Sequence, residues 1–312
     1  MSQESPFRQL WKNLMRQKFA LSSLIVCAAF LLTAIFAEIY TGVCHSKGIE
    51  PVYEKVAPEK RNMEPCAEYW FGTDYLGRSV LTRAVFGAKT AVKVGVIASF
   101  LAVLLGVFLG VWAGYKGGKT DDFVVWIYST FASMPTLLFI LAFSLLVSKG
   151  FLLPPLEKAF AALAALLRTE PGMLSVYLGI GMTGWVALCR VVRAETMKLR
   201  ETQYVQAAKT LGASDRQIIF KHILPNLSHL IIIYFTMRFA LAIMTEVIVS
   251  YLGFGAQREP SWGTMIAQGQ SQLWQGIWWE AGAATLFMFI LVLALNLLGD
   301  ALRDATDPKL KF

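Results

Sequence analysis

Charge is scarce in this 312-residue sequence. Only 16% of its residues are Asp, Glu, Lys or Arg, against about a quarter in a soluble globular chain. That scarcity excludes an ordinary water-facing surface. Histidine is scarce too: His45, His222 and His229 are dispersed, and no metal-binding cluster is expected. No His-Glu-x-x-His and no Gly-x-Ser-x-Gly segment occurs, so a membrane enzyme using zinc or a serine nucleophile has no support. No filter-like loop suggests a channel. No clear inverted repeat suggests an ion-coupled secondary transporter, which stays as the alternative among transport classes.

Apolar residues make up 56% of the chain, and mean hydropathy is +0.52. They are gathered into runs at 20–39, 94–112, 123–147, 174–189, 227–251 and 281–298. A helix needs about 20 such residues to cross a bilayer. The pattern predicts an all-α membrane protein with six transmembrane helices. The first run is too long for a signal-peptide core, and no clean cleavage site follows it.

The net charge of +8 is read as loop retention, not as nucleic-acid binding. Arg8, Lys12, Arg16 and Lys18 precede the first run. Lys116 and Lys119 lie in segment 113–122, seven basic residues in 190–226, and Arg303, Lys309 and Lys311 in the tail. Loop 252–280 carries only Arg258. Both termini are therefore expected in the cytoplasm. The long loop 40–93 opposes this bias with Lys89, Lys93 and others, but long loops cross largely regardless of charge. Cys27 and Cys189 fall within spans. Cys44 and Cys66 fall in the first outer loop, where a disulfide and two free thiols are both open.

Segment "AGYKGGKTDD", residues 113–122, nearly matches the phosphate-cradling G-x-x-x-x-G-K-[ST] loop through Gly118, Lys119 and Thr120. Ala113 replaces the opening glycine, and apolar runs flank the segment where a nucleotide fold needs a strand and a soluble helix. It reads as a turn between spans, with Asp121 or Asp122 as the cap of the third.

Segment 190–226 is polar yet patterned. Arg193 to Leu211 predicts one helix, Gly212 its stop, Ser214 or Asp215 a new cap, and Pro225 a second break. Such a knob suits a groove on a partner protein or the lipid surface, and patterning alone does not separate the two.

"QAAKTLGASDRQIIFKHILP" resembles the EAA loop of ABC-transporter import permeases. Ala207, Ala208, Gly212, Leu224 and Pro225 fall in register. Gln206 stands where the family has an acidic residue, and His222 where it has an apolar one. "WFGTDYLGRSVLTRAVFGAKTAVKVG" (70–95), "YLGFGAQREPSWGTMIAQG" (251–269) and "NLLGDALRDATDPKL" (296–310) resemble further segments of the dipeptide/oligopeptide branch, with Ser79 in place of its usual Asp. The chain is identified as similar to its C-type subunit.

That resemblance implies a type I importer fold. An N-terminal region (1–90) holds the first span and a large outer loop, a permease domain fills 91–300, and 301–312 form a tail. It implies a bacterial inner-membrane location and alternating access driven by ATP. ATP and Mg would be bound by two partner subunits, with no ATPase site or cofactor in this chain. The partners would be those two subunits, a second permease chain, a solute-binding protein and membrane lipid. It also implies that Gln206, Ala207, Ala208, Gly212, Leu224 and Pro225 couple the chain to the ATPases.

Arg238, Glu246 and Glu38 are charges within spans. Arg238 and Glu246 either line the translocation path or pair with neighbouring helices. Trp262, Trp274, Trp278 and Trp279 are expected as interface anchors. Leu156, Phe160, Leu163 and Leu167 recur at helical spacing in an insertion at 150–172, read as an outer-face interfacial helix or a plain packing insert.

Overall fold

A computed structural model describes residues 18–151, 153–255 and 259–306. Arg8, Lys12, Arg16, Arg258, Lys309, Lys311 and the final Asp-Pro of the 296–310 segment lie outside them. The described chain is helical: α1 Lys18–Lys47, α2 Val80–Lys116, α3 Gly118–Ser133, α4 Thr136–Ser148, α5 Pro154–Leu166, α6 Pro171–Arg200, α7 Gln203–Thr210, α8 Asp215–Ile218, α9 Leu224–Tyr251, α10 Trp262–Gln270 and α11 Trp279–Thr306. A single isolated bridge, Thr73 to Ser79, is the only extended pairing among the described residues. Five helices are long and apolar enough to cross a membrane, or six if α3 and α4 count as one span. The protein is an all-α membrane protein.

Several helices depart from the expected bounds. The third run is broken, because α3 and α4 meet at an 89° bend. Pro135 explains it: Pro has no N–H to continue the ladder, and it drives Met134 to an extended ψ of 131°. The second helix starts at Val80, well before residue 94, because Ser79 caps it by accepting from the Thr82 N–H. Lys89 and Lys93 therefore leave the loop and join α2. Their charges are met by Glu38 of α1, 2.7 Å from Lys93, and by Glu259, 2.8 Å from Lys89. A buried lysine and a half-buried one so neutralised do not contradict the orientation drawn from loop charges.

Among the described residues, α2 packs against α6 along a run of glycines. Gly106, Gly110 and Gly114 form a seam of one small residue per turn along α2. A Cβ there would meet the carbonyls of Trp185 at 3.0 Å, Cys189 at 2.9 Å and Arg193 at 2.6 Å. Backbones this close gain dispersion contacts that larger side chains would prevent, which is how helices associate where lipid supplies no hydrophobic drive.

The two ends of the bundle are built differently. At the end holding the 48–79 loop, Asp74 is fully buried. It accepts from the N–H groups of Leu76 and Arg78, from Arg78 Nε at 2.7 Å and from Arg83 Nη1 at 2.8 Å. Arg83 also donates to Gln268 at 2.9 Å and Glu280 at 3.1 Å. The Gly-Thr-Asp and Gly-Arg residues thus clamp the loop, α2, α10 and α11 together. Two of the expected anchors belong to this clamp. Trp262 and Trp279 are buried and donate to the carbonyls of Ala84 and Thr73. Trp274 and Trp278 are exposed.

Beside the clamp, Lys60 bonds Glu68 at 2.7 Å. That bond holds the Glu68 carboxyl below its ordinary value. Burial pushes the Tyr53 hydroxyl up to about 12. Cys44 is buried in α1 and Cys66 is exposed in the loop, and both are free thiols. The disulfide alternative is not realised.

In the insertion, α5 forms as expected. Its stripe is split: Phe160 and Leu167 pack on the core, while Leu156 and Leu163 face outward. Lys93 of α2 donates to the carbonyls of Leu167 at 3.3 Å and Arg168 at 2.9 Å, fixing the end of α5.

Candidate functional site

At the opposite end, the 201–226 loop emerges between α6 and α9. The expected single helix from Arg193 is interrupted. α6 ends at Arg200, Thr202 turns extended with ψ 147°, and α7 restarts at Gln203. Gln206 donates its side-chain amide to the Arg200 carbonyl at 2.9 Å. It therefore caps the C-terminus of α6. A carboxylate there would meet the negative end of the helix dipole, so the departure from an acidic residue suits this geometry.

α7 is short and fixed by one buried residue, Val205. It stops as expected at Gly212, whose φ is +84°. The Ala213 N–H bonds the Ala208 carbonyl and the Gly212 N–H bonds the Lys209 carbonyl, each at 3.0 Å, in the Schellman arrangement. Ser214 then caps α8 through a reciprocal capping box with Gln217. Ala207 is exposed. Leu211 is 89% exposed and Phe220 68%, so the stiff loop presents apolar side chains outward.

Pro225 does not break the chain as expected. Ile219–Ile223 form a π-helical turn, and the Leu224 N–H reaches back to the Ile219 carbonyl. Widening the helix by one residue makes room for a ring that would clash in an α-turn. Asn226 donates its side-chain amide to the His222 carbonyl at 2.6 Å and to the Tyr204 hydroxyl at 3.2 Å. The knob is thus locked to the start of α9. Leu224 and Pro225 sit at this splice.

The "AGYKGGKTDD" turn packs beside the loop. Asp121 is not a cap. It takes a two-point ion pair from Arg193 of α6, with Arg193 Nη2 at 2.5 Å from Oδ2. A cleft of about 570 Å³ separates turn and loop, lined by Lys116, Thr120, Arg200, Gln206 and Lys209 among others.

Arg238 and Glu246 are not brought together. Glu246 is buried and accepts from Ser250 at 2.6 Å and from Ser261 at 2.8 Å, so it joins α9 to the start of α10. Arg238 lies against Gly184 of α6. Its Nε is buried without a hydrogen-bond partner. Near the clamp, a second cavity of about 410 Å³ is lined by Arg78, Arg83, Ser250, Glu259 and Gln268 with others.

Sequence reasoning missed the Asp74–Arg83–Glu280 clamp and the glycine seam. The seam's signal was present, as glycines at 106, 110 and 114. Asp74, Arg78 and Arg83 of the clamp lie in the 70–95 segment, but Glu280, distant in sequence, gave no signal of its pairing with them.

The described residues thus form an all-helical membrane bundle with a capped, apolar-tipped loop at one end. Residues 106–312 match the family described as "Binding-protein-dependent transport system inner membrane component", and residues 5–43 match the "N-terminal TM domain of oligopeptide transport permease C". Similar curated relatives include the dipeptide transport system permease protein DppC of Bacillus subtilis, 33% identical over 96% of this chain and 85% of that protein. The oligopeptide transport system permease protein OppC of the same organism is 32% identical over 97% and 90%. The glutathione transport system permease protein GsiD of Salmonella typhimurium is 34% identical over 98% and 92%. The chain belongs to the binding-protein-dependent transport system inner membrane component family. It is a permease subunit of an ATP-driven importer, and the ion-coupled secondary transporter is set aside.

Proposed function

We propose that this chain is the C-type permease subunit of a bacterial inner-membrane importer for peptides or a related small solute. Both termini are cytoplasmic, as the basic loops suggest. A second permease chain completes the pore. Two ATP-binding subunits carry ATP and Mg and dock on residues 206–225, and a solute-binding protein delivers cargo at the clamp end. The chain itself holds no ATPase site and no cofactor.

The observation that carries this reading is the stiffness of the exposed loop. Its Schellman stop, capping box and π-turn leave little slack, while Leu211 and Phe220 stay uncovered. A lever must be stiff, or the ATPase stroke is lost in its own bending. Within the bundle, Arg238 is the residue we place on the path, because its guanidinium has no carboxylate partner among the described residues. Glu246 is placed in a structural role, held by two serines.

Peptide cargo is supported by the relatives, whose names specify dipeptide, oligopeptide and glutathione transport. The test is uptake of a labelled dipeptide and of glutathione by the complete complex in vesicles. Uptake that needs both ATP and the binding protein is expected. Uptake driven by an ion gradient without ATP would overturn the reading.

A further inference from the structure

Both ends of the 201–215 loop are fastened to one place, the last turn of α2. Entering the loop, Arg200 donates through Nη1 to the carbonyls of Gly114 at 3.3 Å and Tyr115 at 3.0 Å. These are among the orphan carbonyls at a helix C-terminus, where a cation is favoured. Leaving the loop, the Tyr115 hydroxyl donates to Asp215 Oδ1 at 2.8 Å. Tyr115 thus accepts from the end of α6 with its backbone and donates to the start of α8 with its side chain. The glycine seam joins the same turn of α2 to α6, and Arg193 joins α6 to Asp121 of α3.

With ATP-binding subunits docked at residues 206–225 as proposed above, we propose that Tyr115 is a positioning residue. It clasps the loop into a closed ring on α2, so that displacement of α7 moves α2, α3 and α6 as one body. Without the Tyr115–Asp215 bond the start of α8 is held to α2 only through buried Ile218 and its cluster with Val111, and α7 can shift further before α2 follows. ATP hydrolysis then proceeds while less of each stroke reaches the pore. The near-match to a phosphate loop thereby acquires a use: it binds no nucleotide and holds the loop that the nucleotide-binding subunits push.

The test is made on the complete transporter, purified with its partner chains and reconstituted in vesicles, reading transport and ATP hydrolysis together. Tyr115→Phe removes the hydroxyl and keeps the carbonyl bond to Arg200. It is expected to lower solute moved per ATP about twofold, the scale of one exposed hydrogen bond, with ATP-binding subunits still co-purifying. Asp215→Ala should act alike, and the double variant should be no worse than either single one. Asp215→Asn keeps an acceptor oxygen and should restore the ratio. An unchanged ratio in Tyr115→Phe, a parallel fall of both rates, or an Asp215→Asn as poor as Asp215→Ala would overturn the clasp. Ala207→Trp, assayed alongside, probes docking itself. Undiminished co-purification of ATP-binding subunits with Ala207→Trp would sink the docking reading, whatever Tyr115→Phe shows.

Discussion

The two ends of this bundle use the same kinds of residue to opposite purpose. At the clamp end, Asp74, Arg83 and Glu280 are buried, and each charge is met by others from distant segments. At the loop end, the ties are exposed or half-exposed: Tyr115 to Asp215, Gln206 to Arg200, Asn226 to Tyr204. Buried charges hold strongly because parting them strands a charge in low dielectric. Exposed hydrogen bonds exchange with water and give little net stability. One end is a fixed closure. The other is shaped by many small bonds and left open to a partner.

The sharpest way to break the contrast is at the clamp. Arg83→Ala should cost about 3–5 kcal/mol, because Glu280 loses its counter-charge in a buried site. The expected readout is loss of folded protein from detergent extracts in size-exclusion profiles. A stable variant would show that the clamp is dispensable. Next in size is the seam between the ends. Gly110→Leu should cost about 1–3 kcal/mol or more by forcing α2 off α6, seen as a lower thermal midpoint.

At the loop end, Gly212→Ala should cost about 1 kcal/mol. It meets no neighbour within 4 Å and suffers only from its left-handed φ. Transport is expected to fall while the thermal midpoint drops by only about 2–4 °C, the reverse of the clamp pattern.

The smallest effect is expected at Lys60–Glu68. The Glu68 carboxyl is held below its ordinary value of 4.5, so its contribution is present above pH 4.5 and is lost as pH falls through the lower folded value. Hydrogen exchange over residues 60–68 should rise in that window, and Glu68→Gln should abolish the dependence. An unchanged profile in Glu68→Gln would show that the pair contributes nothing.

The comparison also shows what a sequence displays. The loop end was largely legible, because its signals are local. Gly212 stops α7 and Ser214 starts α8 within a few residues of each other. Two local readings failed through tertiary context. Pro225 reads as a break, but a π-turn absorbs it. Asp121 reads as a cap, but Arg193 of α6 takes its carboxylate. The clamp end was poorly legible. Lys89 and Lys93 look like loop charges until Glu38 and Glu259 are placed beside them. Trp262 and Trp279 look like interface anchors until their N–H groups find the carbonyls of Ala84 and Thr73. Periodicity reports which residues share a face. It does not report which distant backbone group waits opposite.

ATP-binding subunits are proposed to grip this chain at the loop end. Photo-crosslinking from position 207 at that end, and from position 274 at the other, tests it most directly. Ala207 is exposed, and Trp274 is 97% exposed, so access is comparable. In the complete transporter, position 207 should crosslink to an ATP-binding subunit and position 274 should not. Crosslinking of that subunit from 274, or its absence from 207 in an active complex, would show that the subunit docks elsewhere.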